Sequence, residues 1–396
     1  MPLPIASVSK RVVTRARKTR EDIHRHPEIG FEEKRTTALI AARLREIGLD
    51  DVKEGFVGTG VVALLKGARR GPTVGLRADI DALPILEETG LPYASVNKGT
   101  MHACGHDGHT AILLAVAEVL AKKRELLAGN VKFLFQPGEE GFAGGRVMVE
   151  AGCLRKPDVA AVFALHGMSR MRCGTIEVGL TPYAGMLSFR LVVHGKGGHG
   201  SAPQTAVDPV VIGSQIVNAS QTIVSREMRP DRPAVLSFCS FQAGTKDNII
   251  PDAAVLLGTI RGTEVKVLKS IYRSLNRVAR NVARALRGSI ELEATESYPP
   301  TRNDAELVEF VRAVARQVVG ARNVAPQKQQ HMGAEDFSYY LSDQGGVPGA
   351  MFNIGIECDA NHHTSRFDFG RAALEPGILM MGNLAVSFLK RQSASG

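Results

Sequence analysis

The sequence predicts an α/β protein, with helices around a mostly parallel sheet and a ferredoxin-like α+β unit inserted into the chain. Three observations carry that expectation. Apolar runs of strand length alternate with helix-length stretches through the first part of the chain, as in layered α/β sheets. After Thr181-Pro182 the order becomes βαββαβ, that of a ferredoxin-like unit. From about Tyr298 the α/β texture returns, so the first domain is expected over 1–182 and 297–396, and the insert over 183–296. A chain of 396 residues is also longer than the roughly 100–200 residues of one ordinary domain.

Taken in order, Lys10–Arg20 reads as the polar face of a first helix, and Thr36–Ile47 as a second that stops at Gly48. Gly60–Leu65 and Thr73–Ile80 read as strands, Gly108–Lys122 as a helix, and Val131–Gln136 and Val159–Leu165 as buried strands. In the insert, Leu187–His194, Ala234–Phe241, Ala253–Arg261 and Ser289–Ala294 read as strands, with helices over Val207–Ser225 and Glu264–Leu286. A helix at Ala305–Val319, a strand at Ala350–Ile354 and a closing helix at Glu375–Lys390 complete the expectation.

Composition narrows the function classes. The net charge of +9 is dispersed, and Arg273, Arg277, Arg280 and Arg284 recur at helical spacing as a solvated face. With no aromatic-rich or groove-reading module beside them, nucleic acid is not an expected partner. Cysteines at 104, 153, 173, 239 and 358 are odd in number and scattered, which suits a reducing cytoplasm better than a disulfide framework. The N-terminus, with Arg and Lys and no acid before Glu21, faintly resembles a transit peptide and lacks the apolar core and small-residue cleavage site of a secretory signal, so it reads as a native first helix. The apolar helix Thr110–Ala121 is interrupted by Glu118 and is shorter than the roughly 20 residues of a membrane span, so no membrane partner is expected.

The chemistry concentrates in a few short stretches. MHACGHDGHT from Met101 places Cys104, His106, Asp107 and His109 just before a helix; thiolate and imidazole are the preferred ligands of zinc-like ions, and a C-x-H spacing on a turn lets two side chains converge. The alternative is a helix capped by Asp107 beside a buried Cys104. FQPGEEG from Phe135 ends a strand with two adjacent acids, so Glu140 can bind a metal while Glu139 accepts a proton. His166 lies at the end of an apolar strand and His363 in the loop ANHHTSRFDF, with His362 competing for the same role. Binding sites in α/β sheets form at the carboxyl ends of strands, and four segments place donors there. Cys104, His106, Glu140, His166 and His363 are too many for one tetrahedral ion but enough for two if a ligand is shared, and a thiolate has the charge to bridge. Manganese, zinc, cobalt and nickel all suit this mixed donor set.

These stretches, together with HRHPEIGFEE from His24, RADIDALP from Arg77, GKGGHGSAP from Gly195, DNIIPDAAVLLGTIRG from Asp247 and MGAEDFSYY from Met332, resemble the amidohydrolase branch of the aminoacylase and carboxypeptidase metallopeptidases, which includes hippurate hydrolases and hydrolases of auxin–amino acid conjugates. The resemblance implies a zinc-peptidase-like catalytic domain with an inserted lid, and hydrolysis of the amide bond of a small N-acyl amino acid. It further implies two divalent metal ions held by the five donors above, with Cys104 bridging and Glu139 as general base. Asp79 would orient a ligand, His199 would stabilise the oxyanion, and Asn248 and Arg261 would lie near the substrate carboxylate. Pairing of subunits through the lid is a further expectation. A dipeptidase or carboxypeptidase using the same centre is the alternative. Gln204 and Ser365 depart from the usual His and Pro, which bears on substrate choice and on the loop around His363.

Overall fold

The apolar runs become the strands of one eight-stranded sheet in the order β1-β2-β4-β3-β5-β14-β6-β13 and a smaller four-stranded one in the order β12-β7-β11-β9. In chain order the strands are β1 (Asp51–Phe56), β2 (Gly60–Lys66), β3 (Arg69–Asp79), β4 (Ala128–Gln136), β5 (Val159–Met168), β6 (Ile176–Val178) and β7 (Gly185–His194). They continue as β8 (Gly198–His199), β9 (Ala234–Ala243), β10 (Ile249–Ile250), β11 (Ala253–Gly262), β12 (Ser289–Tyr298), β13 (Val324–Pro326) and β14 (Gly349–Gly355). The main helices are α1 (Lys10–Arg25), α2 (Lys34–Ile47), α3 (His106–Lys122), α4 (Gly144–Glu150), α5 (Pro209–Thr222), α6 (Val265–Ala285), α7 (Ala305–Val318) and α8 (Leu374–Ala394). The computed structural model describes residues 3–327, 330–341 and 345–394.

The chain divides into two units, Met1–Pro182 with Arg302–Gln329 and Asp336–Gly396, and Tyr183–Thr301 with Gln330–Glu335. The second takes in more chain than the insert expected at 183–296. Its extra residues are tied by backbone bonds: Thr301 N–H donates to the Tyr183 carbonyl at 3.2 Å, and Ala184 N–H to the His331 carbonyl at 2.9 Å.

In the first unit, β4, β3, β5 and β14 run parallel, while β1–β2, β2–β4 and β14–β6 are antiparallel. Parallel strands covered by helices are buried on both faces, which is why β14 is buried throughout and reads as a continuous apolar run. Their carboxyl ends share one edge, so the residues that follow β3, β4 and β14 gather near the end of β5. The helix α3 is buried from His106 to Leu120. The segment Arg371–Ser393, which contains α8, is long and apolar enough to cross a membrane, but 72% of its apolar window is buried inside the protein. Core packing accounts for that hydropathy. Asn383 on α8 also ties down the start of the chain, accepting from Ile5 N–H and donating to the Ile5 carbonyl, both at 2.9 Å.

In the second unit the antiparallel sheet packs against α5 and α6. Val267, Leu268, Ile271, Leu275, Ala279 and Ala283 recur at three- and four-residue spacing on α6 and are buried, while the arginines of the opposite face are exposed. One expectation fails at the residue level. Arg20, placed by periodicity on a solvated face, is buried, because it pairs with Asp107 and Asp368.

Candidate metal centre

The turn before α3 brings the first donors to the sheet edge. Gly105 makes it with φ 92°, a conformation that costs glycine least, and a Cβ there would stand 2.9 Å from Phe369 Cδ2. Cys104 thus precedes the helix and His106 begins it, both buried. Ligand atoms of Cys104, His106 and His166 lie within 4.8 Å of one another, and so do those of Cys104, Glu140 and His363. Cys104 belongs to both sets. Its sulfur is 3.5 Å from His166 Nε2.

The residues around these donors fix their orientation. Asp81, just after β3, faces His106 Nδ1 with its carbonyl at 3.0 Å and Oδ1 at 3.2 Å, and its Oδ2 accepts from Glu140 N–H at 2.9 Å. One carboxylate therefore aims two donors. His166 Nδ1 donates to the Gly167 carbonyl at 2.9 Å, leaving Nε2 for the thiol side. Asp79 Oδ1 sits 2.7 Å from His109 Nδ1, and Gly167 N–H donates to His109 Nε2 at 2.9 Å. Both nitrogens of His109 are thereby used, Nδ1 as donor and Nε2 as acceptor, so its closeness to Asp79 and His106 is explained without an ion. Asp79 acts on His106 only at longer range, 3.7 Å from Nε2.

Glu139 is buried and accepts from Asp336 N–H at 3.3 Å. Asp336 braces the same turn: its carboxylate accepts from Arg77 and from Gln136 at 2.8 Å, and from Gly145 N–H at 2.7 Å. Gly144 must be glycine, since a Cβ would fall 1.7 Å from the Pro137 carbonyl oxygen. Of the competing histidines, His362 Nε2 donates to the Gly167 carbonyl at 2.8 Å and Nδ1 lies 3.2 Å from Ser169 Oγ, while His363 Nε2 is 3.0 Å from Glu140 Oε1. The geometry favours His363.

The electrostatics suit a cation. The Cys104 thiol and the Glu140 carboxylate push His363 up to about 10. A site that holds a proton this firmly attracts a divalent ion for the same reason. Burial pushes the Cys104 thiol up, with Glu140 adding to it, and burial followed by the neighbouring His109 and His362 holds His166 well below the usual imidazole range, hence neutral. His106 is raised despite burial, chiefly by Asp79. The donor set passes a further test: His106 Nε2 is buried without a hydrogen-bond partner. Buried polar atoms left so are rare unless something else satisfies them. Thiolate, imidazole and carboxylate together fit a pair of borderline divalent ions.

In the second unit, His199 pairs with Ile249 where β8 meets β10, and Gly200 N–H donates to the Asn248 carbonyl at 2.9 Å. His199 Nδ1 accepts from Ser201 N–H at 3.1 Å. Arg261 lies in β11 opposite Met186 and Val235. His199 and Asn248 are thus neighbours on one small ladder, with Arg261 on the main sheet.

The model of peptidase family M20/M25/M40 matches residues 75–387. The chain belongs to that family. A thermostable carboxypeptidase of Saccharolobus solfataricus is 37% identical, over 93% of this chain and 94% of its own length. An N-acetylcysteine deacetylase of Bacillus subtilis is also 37% identical, over 95% and 97%. A dinuclear metal binding peptidase of the M20 family from Bacillus subtilis superposes with a TM-score of 0.83 at 34% identity, covering 97% of this chain and 99% of that one.

In this M20 chain the sequence alone did not single out Asp81 or Asp336. Asp81 stands inside RADIDALP, two residues from Asp79, so local clustering was the available signal. Asp336 gave none beyond its motif, because its partners are 191 to 259 residues away. The alternative reading of Asp107 as a helix cap also falls: no side chain caps α3, and Asp107 instead takes Arg20 at 2.6 Å and His24 at 2.9 Å.

Proposed function

We propose that the protein is a two-metal amidohydrolase that cleaves the amide bond of N-acyl amino acids, giving a carboxylic acid and a free amino acid. Cys104, His106 and His166 would hold one divalent ion and Cys104, Glu140 and His363 the other. The observation that carries this reading is the thiol shared by both donor sets, with buried Glu139 next to the ligand Glu140. When bound, the ions would polarise the scissile carbonyl and lower the pKa of water.

Glu139 takes a proton from the attacking water and delivers it to the leaving nitrogen as the C–N bond breaks, the service expected of a carboxylate with no ligand duty. Asp336 and Asp81 keep Glu139 and Glu140 from exchanging roles by fixing each on its own side of the turn. His199 is assigned to the oxyanion that develops on the carbonyl oxygen, and Arg261 with Asn248 to the free carboxylate of the substrate.

The test is hydrolysis of N-acetyl, N-benzoyl and indole-acetyl amino acids by metal-stripped protein, with manganese, zinc, cobalt or nickel restored singly. Cleavage restored by metal is the expected result and would identify the ion and the acyl preference together. The carboxypeptidase relative at 37% identity favours one rival, peptide cleavage at the same centre. Faster turnover of glycyl-glycine than of N-benzoyl-glycine would select it.

A further inference from the structure

His363 differs from the other donors in how it is held. Cys104, His106 and His166 are buried, so packing fixes their rotamers, whereas the His363 side chain is 52% exposed. Its backbone stands in the left-handed region at φ 59°, which a residue with a Cβ adopts at a cost and keeps only where its surroundings impose it. The constraint must come from the chain on either side. On one side His363 N–H donates to the Ala103 carbonyl at 2.8 Å, beside Cys104. On the other, Ser365 meets Glu88 twice: its carbonyl accepts from Glu88 N–H at 2.8 Å, and its hydroxyl donates to Glu88 Oε2 at 2.7 Å.

Glu88 belongs to a strap, residues 84–100, that forms neither helix nor strand. Irregular stretches of that length are uncommon in compact domains and usually functional. This one is fastened to the body of the first unit. Glu87 Oε1 faces His24 Nε2 at 3.2 Å and its Oε2 accepts from Ser95 N–H at 2.7 Å, and Val96 N–H donates to the Arg25 carbonyl at 2.9 Å. Tyr93 hydroxyl donates to Asp368 at 3.2 Å, gripping the His363 loop at its far end.

We propose that Glu88 and Ser365 form a clasp that positions His363 for the metal, which makes the strap a positioning element of the centre although it supplies no ligand. The proposal rests on the reading that Cys104, Glu140 and His363 hold one of two ions. The clasp removes freedom from the one donor that packing leaves loose, so its loss weakens the ion that His363 binds and spares the ion held by Cys104, His106 and His166. Outer partners of ligands act in this way, through orientation rather than through bonding to the ion.

The experiment is competitive zinc titration of the metal-stripped full chain, with the melting temperature of the metal-free protein as a second readout. Glu88→Ala and Ser365→Ala are each expected to weaken one of the two zinc sites by about three- to tenfold, in line with the loss of one hydrogen bond. The double variant should be no worse than either single, since both remove the same bond, and Ser365→Thr should restore wild-type binding. Metal-free melting temperatures should be unchanged. Two unaltered affinities, equal weakening of both sites, or additive losses in the double variant would overturn the clasp. Wild-type protein that takes up fewer than two zinc ions would instead overturn the two-ion reading, and the clasp with it.

Discussion

At the residue scale, adjacent side chains proposed for opposite tasks are held by different partners. Glu140 is aimed by Asp81 toward His363, and Glu139 is turned toward Asp336 N–H. Glu139→Gln should therefore retain metal and melting temperature while turnover falls by about two to four orders of magnitude, the range of general-base catalysis. Near-normal turnover would remove Glu139 from the mechanism. His24 gives a prediction about pH. Burial alone would lower its affinity for a proton, but hydrogen bonds to Asp107 and Glu87 outweigh that and raise it to about 9 from 6.5. The unfolded chain gives up this proton near 6.5 and the folded one near 9, so the stabilisation is complete below about 6.5 and is lost as pH rises through about 9. Urea denaturation at several pH values should show this decline in wild type and a flatter profile in His24→Gln.

At the scale of elements, α3 links the core to the site. Its body is buried to Leu120 while its first residue is a donor, and the Gly105 turn sets the angle between them. Gly105→Ala should cost about 1–3 kcal/mol, the strain of a Cβ at positive φ, and more if Phe369 cannot move. Guanidinium denaturation with a parallel zinc titration checks it: unchanged stability would mean that the turn relaxes freely. Much of this level was legible in the sequence. The helix expected at Thr36–Ile47 runs from Lys34 to Ile47, and the strand expected at Val131–Gln136 runs from Ala128 to Gln136. Periodicity missed β1, β6 and β13 for identifiable reasons. The first is mostly exposed at the sheet edge, and the other two are three residues each, too short to show a period.

At the scale of the whole chain, long-range ties dominate the first unit. Asn383 holds Ile5 across 378 positions, and the five proposed ligands come from segments between Cys104 and His363. Asn383→Ala should cost about 1–3 kcal/mol, because it leaves the Ile5 N–H and carbonyl buried and unpaired. A native-like unfolding midpoint would show that water replaces the amide. Ions that cross-link distant segments bind the folded state alone, so a chelator should lower the melting temperature and restored metal should raise it again. An equal melting temperature with and without metal would argue that the donors are held together by packing only.

The sequence by itself determined the α/β class, the βαββαβ order of the second unit and the donor stretches at Cys104, Glu140, His166 and His363, because these depend on period, turn chemistry and residue type within a few positions. Only the tertiary structure placed His363 rather than His362 beside Glu140, gave Asp81 rather than Asp79 the closest hold on His106, and buried Arg20 against Asp107 and Asp368. Those choices rest on hydrogen bonds between segments far apart in the chain, and no local pattern records which carboxylate or carbonyl a side chain will meet once the sheet has brought its strand ends together.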